Sequence, residues 1–464
     1  MISRREFITK AGLLSTAFLG LQRISLADTK LLGGMSTCLG YGRLVTDADR
    51  IFDLPKGFSY RVIAQTGEVL DNSFLLPGDP DGMAAFPTSD GRVAVICNHE
   101  LSAEQINMSP FGPNQEYLPA CDPAKIYDAG FGKTPQIGGT STLIYNPKTN
   151  QKEGHYLSLV GTERNCAGGP TPWNTWITCE ETNTLASAQF EKDHGYNFEV
   201  PVSTTPQLFD PVPLKAMGRF RHEAVAVEPK SGIVYQTEDR SDGLIYRFIP
   251  KIPGQLAAGG RLQALVVAGQ ASCDTRNWPT LAEPKFPASQ PLAVTWMDIE
   301  DVESPLDDLR LQGFRKGAAR FARGEGMWYA DGEIYFACTN GGAHEVGQIF
   351  KYVPSRYEGT ARETDTPGTL ELFIESSDQN LLKNCDNLTI AENGNLFICE
   401  DAADTCKIVC ITPEGKLFEF ARNSYTKSEL AGACFSPDGE TLFVNIQKNG
   451  QTLAITGPWD RFEG

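Results

Sequence analysis

Short apolar runs separated by tight turns recur along the whole chain. Six times, an apolar run leads through a turn into a second run that ends in polar residues; these stretches are 82–100, 166–181, 223–238, 325–340, 386–401 and 432–445. In five of them the turn is Asp-Gly, Asn-Gly or Ser-Gly, which is a strong β-hairpin signal. Most units continue with a third strand that ends at proline, and several add a fourth. We therefore predict an all-β fold, a six-bladed β-propeller, with a sandwich of two stacked sheets as the alternative.

The last of these units has no fourth strand. Near the start of the chain, residues 58–63 form a strand-like run that belongs to no unit. Pairing of this N-terminal strand with the last unit would complete the last blade and remove an exposed sheet edge. The pattern thus predicts a ring that is closed by an N-terminal strand.

The first residues have the pattern of an export signal and not of a folded element. Arg4 and Arg5 precede a largely apolar run at 11–21, and residues 25–27 offer small side chains for cleavage. This resembles a twin-arginine (Tat) leader, although a basic amphipathic helix is the alternative. We predict a signal peptide at 1–27, a single domain at 28–464, the Tat machinery as export partner, and a periplasmic or extracellular location.

Composition excludes several classes of partner. The chain of 464 residues has 58 acidic and 41 basic residues, a net charge of −17. Such an acidic surface repels nucleic acid and anionic lipid, so neither is an expected partner. No internal stretch approaches the roughly 18 apolar residues of a membrane helix. We expect a mature protein outside the membrane and a monomer.

The hairpin repeat places acids together. If the first strand of each unit lines a central channel, the hairpin returns the second strand to the same mouth, with paired residues about 5 Å apart. The residues expected at this mouth are Asp81, Glu100, Cys166, Glu180, Glu181, Glu223, Glu238, Asp239, Glu325, Asp386, Glu400 and Asp401. Like charges about 4 Å apart repel by roughly 4 kcal/mol at an effective dielectric constant near 20, so a ring of them favours bound cations.

The ligand types constrain the metal. Carboxylate oxygens are hard donors that suit Ca²⁺, whereas the single thiolate of Cys166 suggests a softer site for a transition metal. The predicted metal ligands are Cys166, Glu100, Glu181, Glu223, Glu238, Glu325, Asp386 and Glu400. A zinc site built from histidines is not expected: there are only five histidines, and His99 and His222 each precede a mouth carboxylate and should point to the other strand face.

Five segments resemble the PhoX-type alkaline phosphatases. The most specific is 165–181, which begins Asn-Cys-Ala-Gly-Gly. The others are Arg-His-Glu-Ala at 221–224, Tyr-Gln-Thr-Glu-Asp at 235–239, Arg-Gly-Glu-Gly at 323–326 and Asn-Cys-Asp-Asn-Leu at 384–388. The resemblance covers nearly all of the chain after the leader, and a twin-arginine leader is typical of that family.

The resemblance implies a propeller phosphatase that hydrolyses small phosphate monoesters outside the cytoplasm with a mixed cluster of Fe³⁺ and Ca²⁺. It implies that Cys166 binds iron and that Glu181, Glu223 and Glu325 are cluster carboxylates. It also implies that Arg323 binds phosphate. Strand alternation would place positions 323 and 325 on one face, within reach of the same cluster.

Two other functions fit the acidic mouth without the resemblance. One is a calcium-dependent propeller hydrolase of lactones or other esters, which needs calcium but neither iron nor Cys166. The other is a non-catalytic binding propeller that calcium stabilises. Metal content separates them, because only the phosphatase requires iron with calcium.

Overall fold

The computed structural model describes residues 40–463 of the chain, so the predicted leader at 1–27 lies outside the described residues. Within them the protein is almost entirely β-structure. The strands are, in chain order, β1 (Leu44–Val45), β2 (Phe52–Pro55), β3 (Ser59–Gln65), β4 (Pro80–Pro87), β5 (Val93–His99), β6 (Gly138–Asn146), β7 (Gln151–Thr162), β8 (Asn165–Pro170), β9 (Thr175–Glu180), β10 (Asn197–Pro201), β11 (His222–Val227), β12 (Val234–Glu238), β13 (Ile245–Pro250), β14 (Gly260–Val267), β15 (Leu292–Asp298), β16 (Gly324–Ala330), β17 (Glu333–Cys338), β18 (Gln348–Val353), β19 (Thr369–Glu375), β20 (Cys385–Ile390), β21 (Leu396–Glu400), β22 (Lys407–Ile411), β23 (Leu417–Asn423), β24 (Leu430–Phe435), β25 (Thr441–Ile446) and β26 (Gln451–Thr456).

Helices are few and short in the described part of the chain. One α-helix, α1, spans Leu309–Lys316 and ends at Gly317, whose φ of 117° suits the left-handed cap of a helix. The 3₁₀ helices are Ala103–Met108, Leu118–Ala120, Pro123–Lys125, Gly130–Gly132, Lys215–Met217, Leu256–Ala258, Glu363–Asp365, Gln447–Asn449 and Trp459–Arg461. None of the helices among residues 40–463 has the length and apolarity needed to span a bilayer.

The strands form antiparallel sheets. Two have four strands, in the orders β4-β5-β6-β7 and β24-β25-β26-β3. A three-stranded sheet runs β8-β9-β10, and a six-stranded sheet runs β20-β21-β22-β23-β2-β1. In a nine-stranded sheet, β11-β12-β13-β14 continue through β15 into β19-β18-β17-β16. The predicted closing strand is present as β3, which pairs with β26 so that Ser59 lies opposite Thr456.

The first strands of the six predicted hairpins meet one another. In the order β4, β8, β11, β16, β20 and β24 each contacts the next, and β24 returns to contact β4. The arrangement is therefore propeller-like, with these strands around its centre. Apolar side chains fill the space between neighbouring sheets, as where Tyr145 of β6 meets Phe443 of β25 edge-on with ring centroids 5.1 Å apart.

Each inner strand carries a β-bulge at its start. The register between β11 and β12, for example, shifts between His222 and Val225, and the other five hairpins shift at the same place. A bulge bends the strand and turns the side chain that it contains. Near these bulges a glycine lets two neighbouring inner strands, β16 and β20, approach closely. A Cβ on Gly326 would lie only 2.7 Å from the Cα of Asn387.

Candidate metal centre

A polar cavity of about 440 Å³ lies where the inner strands begin. Nine acids, four basic residues, one cysteine and one threonine line it. They are Asp81, Glu100, Glu181, Glu223, Asp239, Glu325, Asp386, Asp401, Glu429, Arg164, Arg221, Arg323, Lys448, Cys166 and Thr339. Acids exceed bases by five, so the cavity attracts cations.

Fourteen of these fifteen side chains, all but Lys448, occupy three sets of equivalent hairpin positions, which we call layers. The second residue of five inner strands gives the first layer: Asp81, Cys166, Glu223, Glu325 and Asp386. The residue directly after the second strand of five hairpins gives the next layer: Glu100, Glu181, Asp239, Thr339 and Asp401. The residue directly before the inner strand gives the third layer: Arg164, Arg221, Arg323 and Glu429. Repetition of one hairpin geometry therefore concentrates the charges.

Three carboxylates in the first layer form the most compact cluster. Glu223, Glu325 and Asp386 each offer an oxygen, and these atoms lie within 4.8 Å of one another. Burial, and after it repulsion between neighbouring carboxylates, raises the pKa of all three well above the usual value. Such an arrangement is costly unless a cation joins the oxygens. The oxygen donors fit a hard divalent ion such as Ca²⁺.

Cys166 adds a softer donor to the same cavity. Its Sγ lies 3.3 Å from the carbonyl oxygen of His222, beside Glu223. Burial first, and then the neighbouring carboxylates, raises the pKa of this thiol well above the usual value. A metal would have to displace the thiol proton, and a thiolate beside carboxylates suits a transition metal better than calcium alone.

Arg323 is held in a fixed orientation at the cavity wall. Its Nε and Nη2 donate to the two carboxylate oxygens of Asp239 at 2.7 and 2.9 Å, and Nη2 lies 3.0 Å from Glu325. Arg323 precedes β16 and has a φ of 49°, so strand alternation does not govern its side chain. The expected proximity to Glu325 is present, but it results from the turn and not from a shared strand face.

Two further arginines share the acids of the next layer. Arg164 Nη2 lies 2.5 Å from both Glu100 and Glu181, and Arg221 donates to the other oxygen of Glu181. The side chain of Arg164 remains 40% exposed. Neither arginine was predicted from the sequence, although the signal was present as a repeated Arg-x-Cys/Glu spacing at 164–166, 221–223 and 323–325.

The structure does not bring Glu238 and Glu400 into the cavity. Glu238 accepts hydrogen bonds from Leu244 N at 3.1 Å and Tyr246 Oη at 3.0 Å. Glu400 accepts from the backbone of Lys383 and Lys407, both at 3.1 Å. Both carboxylates end a second strand, and adjacent side chains point to opposite faces. The following residue, Asp239 or Asp401, lines the cavity in their place. Of the eight predicted ligands, the other six line the cavity.

Glu180 occupies the same strand-end position and anchors a buried ion pair. His194 lies between Glu180 Oε1 at 2.6 Å and Asp128 Oδ2 at 3.2 Å. Burial alone would lower the pKa of His194, but Glu180, Asp128 and Glu163 together raise it to about 10. The imidazolium thus joins the loops around Asp128 and His194 to the end of β9.

We expect this ion pair to make stability fall as the pH rises. His194 holds its proton more tightly when folded, so its contribution is complete below pH 6.5 and is lost as the pH approaches about 10. Melting temperatures of wild type and His194→Gln between pH 6 and 10 test this. The wild type should lose more stability over this range than the variant. His155→Gln is the control, since burial lowers the pKa of His155 well below its usual value and the buried ring therefore gains no proton in the folded state. Equal slopes for wild type and His194→Gln would contradict the assignment.

Comparison with known proteins places the chain in a family. The family described as "Alkaline phosphatase PhoX" matches residues 39–144 and 132–450. Curated proteins give no match. A solved structure of Pseudomonas fluorescens PhoX in complex with vanadate, a transition state analogue, covers 91% of this chain and 98% of its own, with 18% identity and a TM-score of 0.64.

Other solved structures are less similar to this chain. A virginiamycin B lyase from Staphylococcus aureus covers 86% of this chain and 99% of its own, at 12% identity and a TM-score of 0.37. A gluconolactonase from Xanthomonas campestris covers 90% and 98%, at 11% identity and a TM-score of 0.38. The Pseudomonas likeness shows a shared fold, and the family match covers most of the sequence. The chain therefore belongs to the PhoX alkaline phosphatase family.

Proposed function

We propose that this protein hydrolyses phosphate monoesters and releases inorganic phosphate. The observation that carries the proposal is one cavity in which clustered acids can hold cations while three arginines face the same space. Hydrolysis joins a water oxygen to phosphorus, breaks the bond to the alcohol oxygen and returns a proton to the alcohol. The negative phosphoryl oxygens need compensating positive charge during this step. The arginines, together with cations held by the acids, would supply that charge.

The metal centre that we propose contains Fe³⁺ and Ca²⁺. Cys166 would bind the iron, and Glu223, Glu325 and Asp386 would hold the ions through oxygen, with Glu181 and Glu100 on the rim. When bound, the metal ions would act as Lewis acids on the phosphoryl group. The desolvated carboxylates support this assignment, because buried charges are costly unless cations bind, and the Cys166 thiol beside them is the softer donor.

Arg323 would bind the remaining phosphate oxygens. A guanidinium matches phosphate through paired hydrogen bonds, and its planar shape gives direction as well as charge. The two hydrogen bonds to Asp239 hold the group at the cavity wall before substrate arrives. Such fixed placement lowers the entropic cost of orienting the ester.

We also propose that the fold has six blades and that the protein is exported from the cytoplasm. The five sheets correspond to six blades if the nine-stranded sheet is divided where β15 pairs with β19. The ring of six inner strands favours this division, because each blade then has one inner strand. Twin arginines at positions 4 and 5 support Tat export of a monomeric domain at 28–464 to the periplasm or the outside.

An assay with 4-nitrophenyl phosphate, run with and without a calcium chelator, tests the function. We expect phosphate release that falls on the order of a hundredfold when calcium is removed and returns when calcium is restored. Metal analysis of the purified protein should find iron together with calcium. Calcium alone, with hydrolysis of lactones but not of phosphate esters, would overturn the proposal.

A further inference from the structure

A second cavity of about 880 Å³ adjoins the metal centre. Its lining comes from residues 102–104, 130–136, 163–164 and 188–190, and we name it the leaving-group groove. Arg164 lines both the groove and the metal cavity, so the two spaces share a wall. A molecule with its phosphate among the arginines could extend past Arg164 into the groove.

The groove presents aromatic rings from two separate loops. Phe131 and Phe190 both line it, and the residue Phe131 is 56% exposed. Phe131 has a φ of 57°, a left-handed conformation that bulky residues rarely adopt. Lys133 and Gln136 add a positive charge and an amide to the same lining. Two aromatic side chains that line one groove, one of them exposed on a left-handed turn, suit a planar ligand.

The two loops are fastened together at their base. Asp128 accepts hydrogen bonds from Gly130 N at 2.8 Å and Lys192 N at 3.1 Å, and it also contacts His194. Tyr127 Oη donates to the carbonyl oxygen of Asp193 at 2.7 Å. Because these hydrogen bonds join the two loops, the aromatic side chains are positioned before a ligand binds, and little entropy is lost on binding.

We propose that the leaving-group groove binds the alcohol half of the phosphate ester, and that it prefers a planar aromatic alcohol such as a nucleoside. This rests on the proposed phosphatase activity. The phosphoryl group occupies the metal cavity of about 440 Å³, so the rest of a large ester must lie outside it. The groove adjoins that cavity, is large enough for a nucleoside and offers rings on which a base can stack.

The test compares two esters that differ in their alcohol. The double variant Phe131→Ser and Phe190→Ser, and Phe131→Ser alone, are assayed with AMP and with glycerol 3-phosphate. In the double variant we expect the ratio of kcat/KM for AMP to kcat/KM for glycerol 3-phosphate to fall about tenfold. Ile252→Ser is the matched control, because Ile252 is an exposed apolar residue in the β13–β14 turn, away from both cavities.

Adenosine binding, measured by calorimetry on the same metal-loaded proteins, gives a readout that does not depend on turnover. The wild type and Ile252→Ser should bind adenosine about tenfold more tightly than the double variant. An unchanged ratio of kcat/KM, or equal adenosine affinity in wild type and double variant, overturns the groove assignment. If no ester is hydrolysed, the phosphatase proposal fails, and adenosine binding alone then decides the groove.

Discussion

Replacing Glu325 with glutamine is expected to lower kcat/KM for a phosphate monoester by about a thousandfold. Glu325 lies in the compact cluster with Glu223 and Asp386 and also contacts Arg323 at 3.0 Å. The amide keeps the shape of the side chain but removes its charge, so the cluster loses one ligand that bears a full negative charge. The metal content of the purified variant should fall with the activity, as elemental analysis can measure.

The same substitution should stabilise the metal-free protein, although it weakens metal binding. Three carboxylates within 4.8 Å of one another repel, by roughly 4 kcal/mol for a pair of charges 4 Å apart at an effective dielectric constant of 20. Removal of one charge relieves this repulsion, so the metal-free variant should melt above the metal-free wild type. With metal present the order should reverse, because bound ions stabilise the folded wild type more.

Glu238→Gln is the matched control for Glu325→Gln. Both are buried glutamates at the open end of a hairpin, but Glu238 bonds to Leu244 and Tyr246 outside the cavity. The control should lose stability and keep its metal content. If it loses metal as Glu325→Gln does, or if Glu325→Gln keeps its full metal content, the placement of the cluster on the inner strands is wrong.

The hairpins and their order could be predicted from the sequence alone. Turns such as Asp331-Gly332 mark hairpins because the glycine adopts the left-handed conformation, here with a φ of 86°. Repetition of such turns predicted the propeller-like all-β fold, and a spare strand near the N-terminus predicted the pairing of β3 with β26. Local signals suffice because each hairpin forms from neighbouring residues. The insertion of β15 between two groups of strands had no comparable signal, since its pairing partner β19 lies more than 70 residues away.

The residues that line the cavity could be predicted only in part from the spacing of acids along the sequence. The hairpins differ in length: the lining residue of the second strand follows that of the inner strand by 16 residues from Glu223 to Asp239 but by 14 residues from Glu325 to Thr339. No fixed spacing therefore tells which of two neighbouring strand-end residues enters the cavity. One residue of error moves a side chain to the other face of a strand. Cys166, Glu325 and Asp386 were found because an inner-strand position does not depend on hairpin length. The hydrogen bonds from Arg323 to Asp239 were not predicted, because Arg323 lies in a turn with a left-handed backbone and not on a regular strand face.

Replacing Arg323 with alanine is expected to lower kcat/KM for a phosphate monoester by about a hundredfold or more, with the metal content unchanged. The variant leaves Asp239 and Glu325 without this positive neighbour, so cations should bind at least as tightly. The affinity for inorganic phosphate, measured by calorimetry on the metal-loaded protein, should fall with kcat/KM. Arg323→Lys should recover only a small part of the loss, because an ammonium keeps the charge but lacks the planar paired donors.

Arg221→Ala tests whether phosphate binding depends on specific hydrogen bonds from Arg323 or only on the positive charge of the arginines. Arg221 occupies the same position before its inner strand as Arg323, but it bonds to Glu181, whereas Arg323 is fixed by two hydrogen bonds to Asp239. If orientation by Asp239 matters, loss of Arg323 should cost far more than loss of Arg221, and Asp239→Asn should reproduce part of the Arg323→Ala defect. Equal losses for the two arginines, with full recovery by lysine, would mean that charge alone attracts the phosphate, and the assignment of Arg323 as its specific ligand would then fail.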